Sequence, residues 1–176
     1  MKRTQKLTHI AILITFALVI HTVEATLPVP MLVPGAKLGL ANVITLLAFV
    51  IYGFRPALFI AAIRTVMGSI FIGNFLSFGF YLSFTGAIFS TLIMALGISL
   101  WRRGNISLIA VSIMGAVAHN TAQVAIASVL IGNINLLKLY LPFLLLLAIP
   151  TGFFTGVVVV YTQKALTSVF TNIQQQ

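Results

Sequence analysis

Between Leu7 and Tyr161 the chain is almost continuous apolar sequence, cut by short turns into six runs that cover all or most of a hydrocarbon layer of roughly 30 Å. A backbone in that layer must satisfy its own hydrogen bonds, and a helix does so within one segment. Only 6% of the 176 residues are charged, whereas a soluble surface needs about a quarter to a third. The sequence therefore reads as an all-α integral membrane protein, a six-transmembrane-helix bundle forming a single domain over residues 1–176. The expected spans are about 7–25, 36–52, 56–72, 75–100, 106–131 and 136–161, with five or seven as the alternative divisions. Spans 2 and 3 are short, and are either less tilted or partly broken within the bundle. Pro142 and Pro150 fall in the last run, which predicts a kink or a short horizontal start before the final helix.

Ten basic residues stand against one acid. With the first residue inside, Lys2, Arg3, Lys6, Arg55, Arg102, Arg103 and Lys164 collect on one face and only Lys37 and Lys138 on the other. Both chain ends are then cytoplasmic, and the polar tail from Thr171 to Gln176 reads as a frayed end. Because the bases are dispersed at span ends, they set orientation and do not form a nucleic-acid surface. The absence of cysteine excludes disulfides and thiol chemistry. The opening MKRTQK and the apolar run behind it imitate a signal peptide. Glu24 and three prolines follow where a cleavage site of small residues belongs, which favours a retained first span.

The stretch from Glu24 to Asn42, EATLPVPMLVPGAKLGLAN, carries that one acid. Pro28, Pro30 and Pro34 remove backbone donors and fix φ, so the first helix should stop near Ala25 to Leu27. Gly35 and Gly39 let the chain turn and a neighbouring helix approach. Glu24, Lys37 and Asn42 then gather at the mouth of this break.

Several polar residues interrupt the apolar runs. His21 and Glu24 are three apart and share one face of span 1. Either Glu24 pairs with Lys37 across the proline turn, or His21 and Glu24 face a ligand pocket. Arg64 lies roughly 13 Å from Arg55 by helical rise, too deep for a flanking charge. It either satisfies backbone carbonyls of broken helices or meets an anionic or carbonyl-bearing ligand. His119, Asn120 and Gln123 form one polar stripe in span 5, open to packing, ligand contact or proton relay. Asn42 and Asn74 are weaker candidates of the same kind. Phe71, Phe75, Phe78, Phe80, Tyr81 and Phe84 crowd the turn before span 4, as packing or lipid-facing rings or as the cap of a planar ligand. Gly68, Gly73, Gly86, Gly115 and Gly156 read as sites of close helix approach, and Thr8, Ala11 and Thr15 as a partly small face on span 1 for a protein partner.

Some chemistries are excluded by residue count. The chain contains no aspartate, and one glutamate cannot hold the magnesium that diphosphate enzymes need. No HExxH spacing supports zinc hydrolysis, and no GxxxxGK[ST] loop is present to hold ATP phosphates. The reading is non-enzymatic, with no intrinsic cofactor and no metal site.

The run PGAKLGLANVITLLAFVIYGFRPAL, with RTVMGS at 64–69 and the Gly73 turn, resembles the family known as Gx transporters or heptaprenyl diphosphate synthase component I. That family is similar to the substrate-binding S components of energy-coupling-factor transporters. The resemblance implies a bacterial cytoplasmic-membrane subunit that binds a small, vitamin-like substrate near the outer face. It also implies a coupling transmembrane protein and two cytoplasmic ATPases as partners, with ATP used only by those partners. S components often dock through an AxxxA face on the first helix, and here Ala11 is followed by threonine at Thr15. An isoprenoid- or quinone-related substrate follows from the family's association with prenyl synthases and flavin-linked electron transfer. Two other roles stay open: a non-transporting subunit for such electron transfer, and a structural partner of a prenyl diphosphate synthase.

Overall fold

A computed structural model of the chain describes residues 3–26 and 36–174, with side chains over 4–26 and 36–166. Pro28, Pro30, Pro34 and Gly35 lie outside the described residues, as do Lys2 and the last two glutamines. Six helices make up the fold: α1 (Arg3–Thr26), α2 (Asn42–Tyr52), α3 (Phe54–Ile72), α4 (Phe78–Arg102), α5 (Leu108–Ile131) and α6 (Asn135–Gln174). No strand occurs among the described residues. All but α2 are long and apolar enough to cross a membrane, so the protein is a multi-pass membrane protein. Large side chains such as Phe16, Phe71, Leu96, Leu139 and Phe154 stay exposed on the flanks, where lipid would cover them.

The expected spans differ from the helices at two places. Residues 36–39, placed in span 2, have no regular structure, and α2 is only 11 residues long. Span 2 is partly broken, one of the two readings of its short length: the 36–41 backbone is irregular inside the bundle, because neighbouring side chains supply the bonds that a helix would have made. α6 is continuous through Pro142 and Pro150, with no separate horizontal piece, and its polar end is helical as far as Gln174. Around Pro150, Thr151 Oγ1 donates to the Leu147 carbonyl at 2.8 Å and Thr155 Oγ1 to the Thr151 carbonyl at 2.9 Å, bonds available to hydroxyls in an apolar helix.

Three of the turns repeat one device. Gly73, Gly104 and Gly132 all have positive φ, and each is followed by asparagine. The asparagine amide donates to the carbonyl five residues back: Asn74 to Ser69, Asn105 to Leu100 and Asn133 to Ser128. This is the left-handed helix ending that glycine adopts without a Cβ clash, and it lets long helices reverse within a few residues.

Packing divides the bundle into two halves. One half holds an apolar core in which Leu46 and Phe49 of α2, Ile60 of α3, Met94 and Ile98 of α4 and Val111 of α5 meet with almost no exposure. Trp101, Ile106 and Leu166 border it, at the end of the bundle where α4 and α6 finish. The opposite half has only a small apolar cluster around Leu82 and Ala127. Its interior is polar. Along the α5–α6 seam, a Cβ on Gly152 would lie 2.7 Å from Ile113 Cα, and one on Gly156 2.9 Å from Ile109 Cα. Here the expected close approach at Gly156 is real, and Ser112 and Thr155 hydroxyls add a 2.8 Å bond across the same seam. Replacing Gly152 with valine should force these backbones apart at a cost of about 1–3 kcal/mol, read as a lower Tm of the purified protein in detergent. An unchanged Tm would show that the seam tolerates extra volume.

Candidate functional site

The polar interior begins where α1 ends. Most of α1 is exposed, yet His21 and Glu24 are 2% and 6% exposed and point inward together. Glu24 does not pair with Lys37, as one sequence reading had it. Its Oε1 accepts from the backbone amides of Gly39 at 2.5 Å and Leu40 at 3.2 Å. Those amides belong to the irregular segment ahead of α2, have no helical partner, and attract a carboxylate as a helix N-terminus does. Lys37 turns instead to His21, with Nζ 2.8 Å from Nε2. An ammonium donates only to a ring nitrogen without a proton, which places the His21 proton on Nδ1.

Gln123 of α5 holds the same segment from the other side. Its Oε1 accepts from the Lys37 amide at 2.8 Å and its Nε2 donates to the Lys37 carbonyl at 2.8 Å. One side-chain amide thus replaces a strand partner for a buried peptide unit. Asn120, one turn away, donates Nδ2 to the Leu144 carbonyl of α6 at 2.9 Å and fastens α5 to α6. On α2, Asn42 Oδ1 accepts from Arg64 Nη2 at 2.8 Å and more weakly from Ser90 at 3.4 Å. Arg64 is 2% exposed, and among the described residues its guanidinium makes that one bond.

Glu24, Lys37, Arg64, His21 and His119 lie close enough to act on one another electrostatically. His21, Glu24, Lys37, Asn42, Arg64, His119, Asn120 and Gln123 therefore form one buried cluster built from α1, the 36–41 segment, α2, α3 and α5. Asn74 does not join it. It sits half-buried in the α3–α4 turn, its amide used for the turn itself. Thr8, Ala11 and Thr15 face outward from α1, and both threonine hydroxyls bond back to their own helix. The aromatic residues near that turn pack mainly on one another: Phe80 stacks on Phe84 and meets Phe75 edge-on, while Phe71 is 71% exposed.

Two glycines expected to serve helix approach serve the histidines instead. A methyl group on Gly68 would collide with the His21 ring, and one on Gly86 would lie 2.8 Å from His119 Cε1. Each imidazole occupies a notch in the facing helix. Gly115 faces the Met94 side chain and Gly73 faces open space, so neither marks a backbone contact. Ser83 was missed by the sequence reading. It lies one turn before Gly86 on the same face of α4, is buried, and its hydroxyl has no partner. Its spacing from Gly86 was the available signal.

The cluster thus has a satisfied half and an unsatisfied half. Glu24, His21, Lys37, Asn120 and Gln123 secure the 36–41 segment and the α5–α6 seam. Asn42 Nδ2, Arg64 Nε and Ser83 Oγ are buried without partners, and the His119 ring lies along the Gly86 backbone with neither nitrogen in good hydrogen-bond geometry. Buried polar atoms in native proteins are rarely left so, and Thr45 Oγ1, Asn74 Oδ1 and Ser128 Oγ are the others among the described residues.

The family described as heptaprenyl diphosphate synthase component I matches residues 13–162, the greater part of the chain. No curated protein and no solved structure matches it significantly.

Gln123→Leu should leave the Lys37 amide and carbonyl buried and unpaired, at about 1–3 kcal/mol for each group. The Tm should fall, and added protease should cut between residues 27 and 41 faster than in the parent. In a double-mutant cycle, Gly68→Ala and His21→Ala should couple by at least about 0.5 kcal/mol, because the alanine at 68 harms only a protein that keeps the ring. Additive losses would separate the ring from the notch.

Proposed function

Since the chain belongs to the heptaprenyl diphosphate synthase component I family, we propose that it is the substrate-binding subunit of an energy-coupling-factor-type uptake transporter in a bacterial cell membrane. The observation that carries this reading is the set of buried polar atoms on Asn42, Arg64, Ser83 and His119 without partners, in the half of the bundle away from the apolar core. A purely structural bundle gains nothing by leaving such groups bare. The small apolar cluster around Leu82 and Ala127 lies in the same half, which suits a small hydrophobic molecule of isoprenoid or quinone type anchored by a few polar contacts.

The synthase in the family's description is read here as the work of a partner. The one carboxylate in the sequence is engaged by the Gly39 and Leu40 amides, and diphosphate chemistry through magnesium calls for several carboxylates. The word "component" itself implies a partner subunit. On the transport reading the partners are a coupling transmembrane protein, engaged through the outward face of α1 at Thr8, Ala11 and Thr15, and two cytoplasmic ATPases that alone use ATP. The same description favours a second reading, a structural partner of a prenyl diphosphate synthase.

Gentle extraction from the native membrane followed by mass spectrometry separates the two. Transport predicts copurification of a coupling protein and two ATPases, and a synthase partner predicts a soluble prenyl synthase in their place. Arg64→Ala should lower uptake of the natural substrate at least about tenfold, the loss of a charged hydrogen bond worth about 1.5–3 kcal/mol, while the protein remains in the membrane. Uptake that survives deletion of both ATPases would refute energy coupling.

A further inference from the structure

We propose that the substrate presents one singly charged carboxylate to Arg64, with Asn42, Ser83 and His119 completing the contact. The proposal deepens the ligand-site reading above and rests on it, but does not depend on energy coupling.

Charge carries the first part of the argument. Lys37 and Arg64 are both buried, and Glu24 is the single acid in all 176 residues. With Lys37 and Arg64 protonated and Glu24 ionised, one positive charge has no counter-charge inside the bundle. No other side chain in the sequence can cancel it, and residues 27–35, LPVPMLVPG, contain no ionisable group. An uncompensated cation in a low-dielectric interior is strongly unfavourable, and an entering monoanion removes that penalty.

The unpaired atoms carry the second part. Arg64 Nε and Asn42 Nδ2 are donors only, so neither can satisfy the other. Asn42 cannot turn its oxygen to the empty side, because Arg64 Nη2 and Ser90 already donate to it. Asn42 adjoins both Arg64, through the Nη2 bond, and His119: a Cβ on Gly39 would lie 2.9 Å from Asn42 Nδ2 and 3.0 Å from His119 Cδ2. What is missing is an acceptor, and an ionised carboxylate offers two oxygens with about four lone-pair sites that match the guanidinium fork. A phosphate monoester brings about 1.5–2 negative charges and a diphosphate more, which overshoots the one surplus positive charge.

The test uses the full chain in nanodiscs of zwitterionic lipid, with benzoate, neutral benzamide and dianionic phenyl phosphate as matched probes. At about ten times its Kd, benzoate should raise the Tm by about 3–6 °C, and the other two should have little effect at equal concentration. Asn42→Asp places a carboxylate against Arg64 from within. It should raise the Tm of the unliganded protein and abolish the benzoate response. Ser83→Ala should fold as the parent does and weaken benzoate about threefold, the loss of one modest hydrogen bond.

A response to phenyl phosphate or benzamide equal to that of benzoate would overturn the proposal, as would no response to any probe, or a lower Tm for Asn42→Asp. Stabilisation by phosphatidylglycerol nanodiscs with no benzoate effect would overturn it too, by assigning the anion to lipid. A benzoate response without copurifying ATPases would reject the transporter and keep the carboxylate site. The reverse result would do the opposite.

Discussion

The architecture depends on satisfying six residues of irregular backbone inside a membrane bundle. Between Ala36 and Ala41 the chain has left α1 but not yet begun α2, and a helix cannot supply its hydrogen bonds. Glu24 from one side and Gln123 from the other provide four. In hydrocarbon each unsatisfied peptide group costs several kcal/mol, so these two side chains decide whether α2 can begin deep in the bundle at all. Because they come from α1 and α5, helices that barely touch, the irregular segment is also what joins the two sides of the polar interior.

The use of Glu24 for this purpose sets the electrostatics of everything near it. A carboxylate occupied by backbone amides forms no close ion pair with Arg64 or Lys37. Lys37 finds His21 and Arg64 finds Asn42, both neutral partners. Two cations thus share one anion whose close partners are backbone amides. The polar interior is bonded through at Glu24, Asn120 and Gln123 but leaves unpaired atoms on Asn42, Arg64, Ser83 and His119, and the proposed function rests on that imbalance.

Much of this was legible in the residues. Arg64 and the His119–Gln123 stripe stand out because polar groups in apolar runs must converge or be bonded, and they do converge. The expected Glu24–Lys37 pair failed because sequence displays side-chain charge and hides unpaired backbone donors; two amides at Gly39 and Leu40 won the carboxylate. Gly68 and Gly86 were readable as positions of close approach, but not that the approaching groups were imidazole rings from α1 and α5. The start of α2 was missed for the same reason as the pair: Ala36 to Ala41 is apolar enough for a span, and only tertiary partners explain why it need not be helical. The three Gly–Asn turns were present as a repeated dipeptide, and their positive φ follows directly from it.

The α5–α6 seam has a consequence for how a ligand reaches the interior. Where Gly152 and Gly156 meet the Ile113 and Ile109 backbones there are no side chains to rotate aside, so the two helices behave as a single fixed wall. α1 is the opposite: little of its span is buried, and among the described helices it packs on α3 and α2. Any outward displacement of the end of α1 would therefore have to break the bonds that the Gly39 and Leu40 amides give to Glu24.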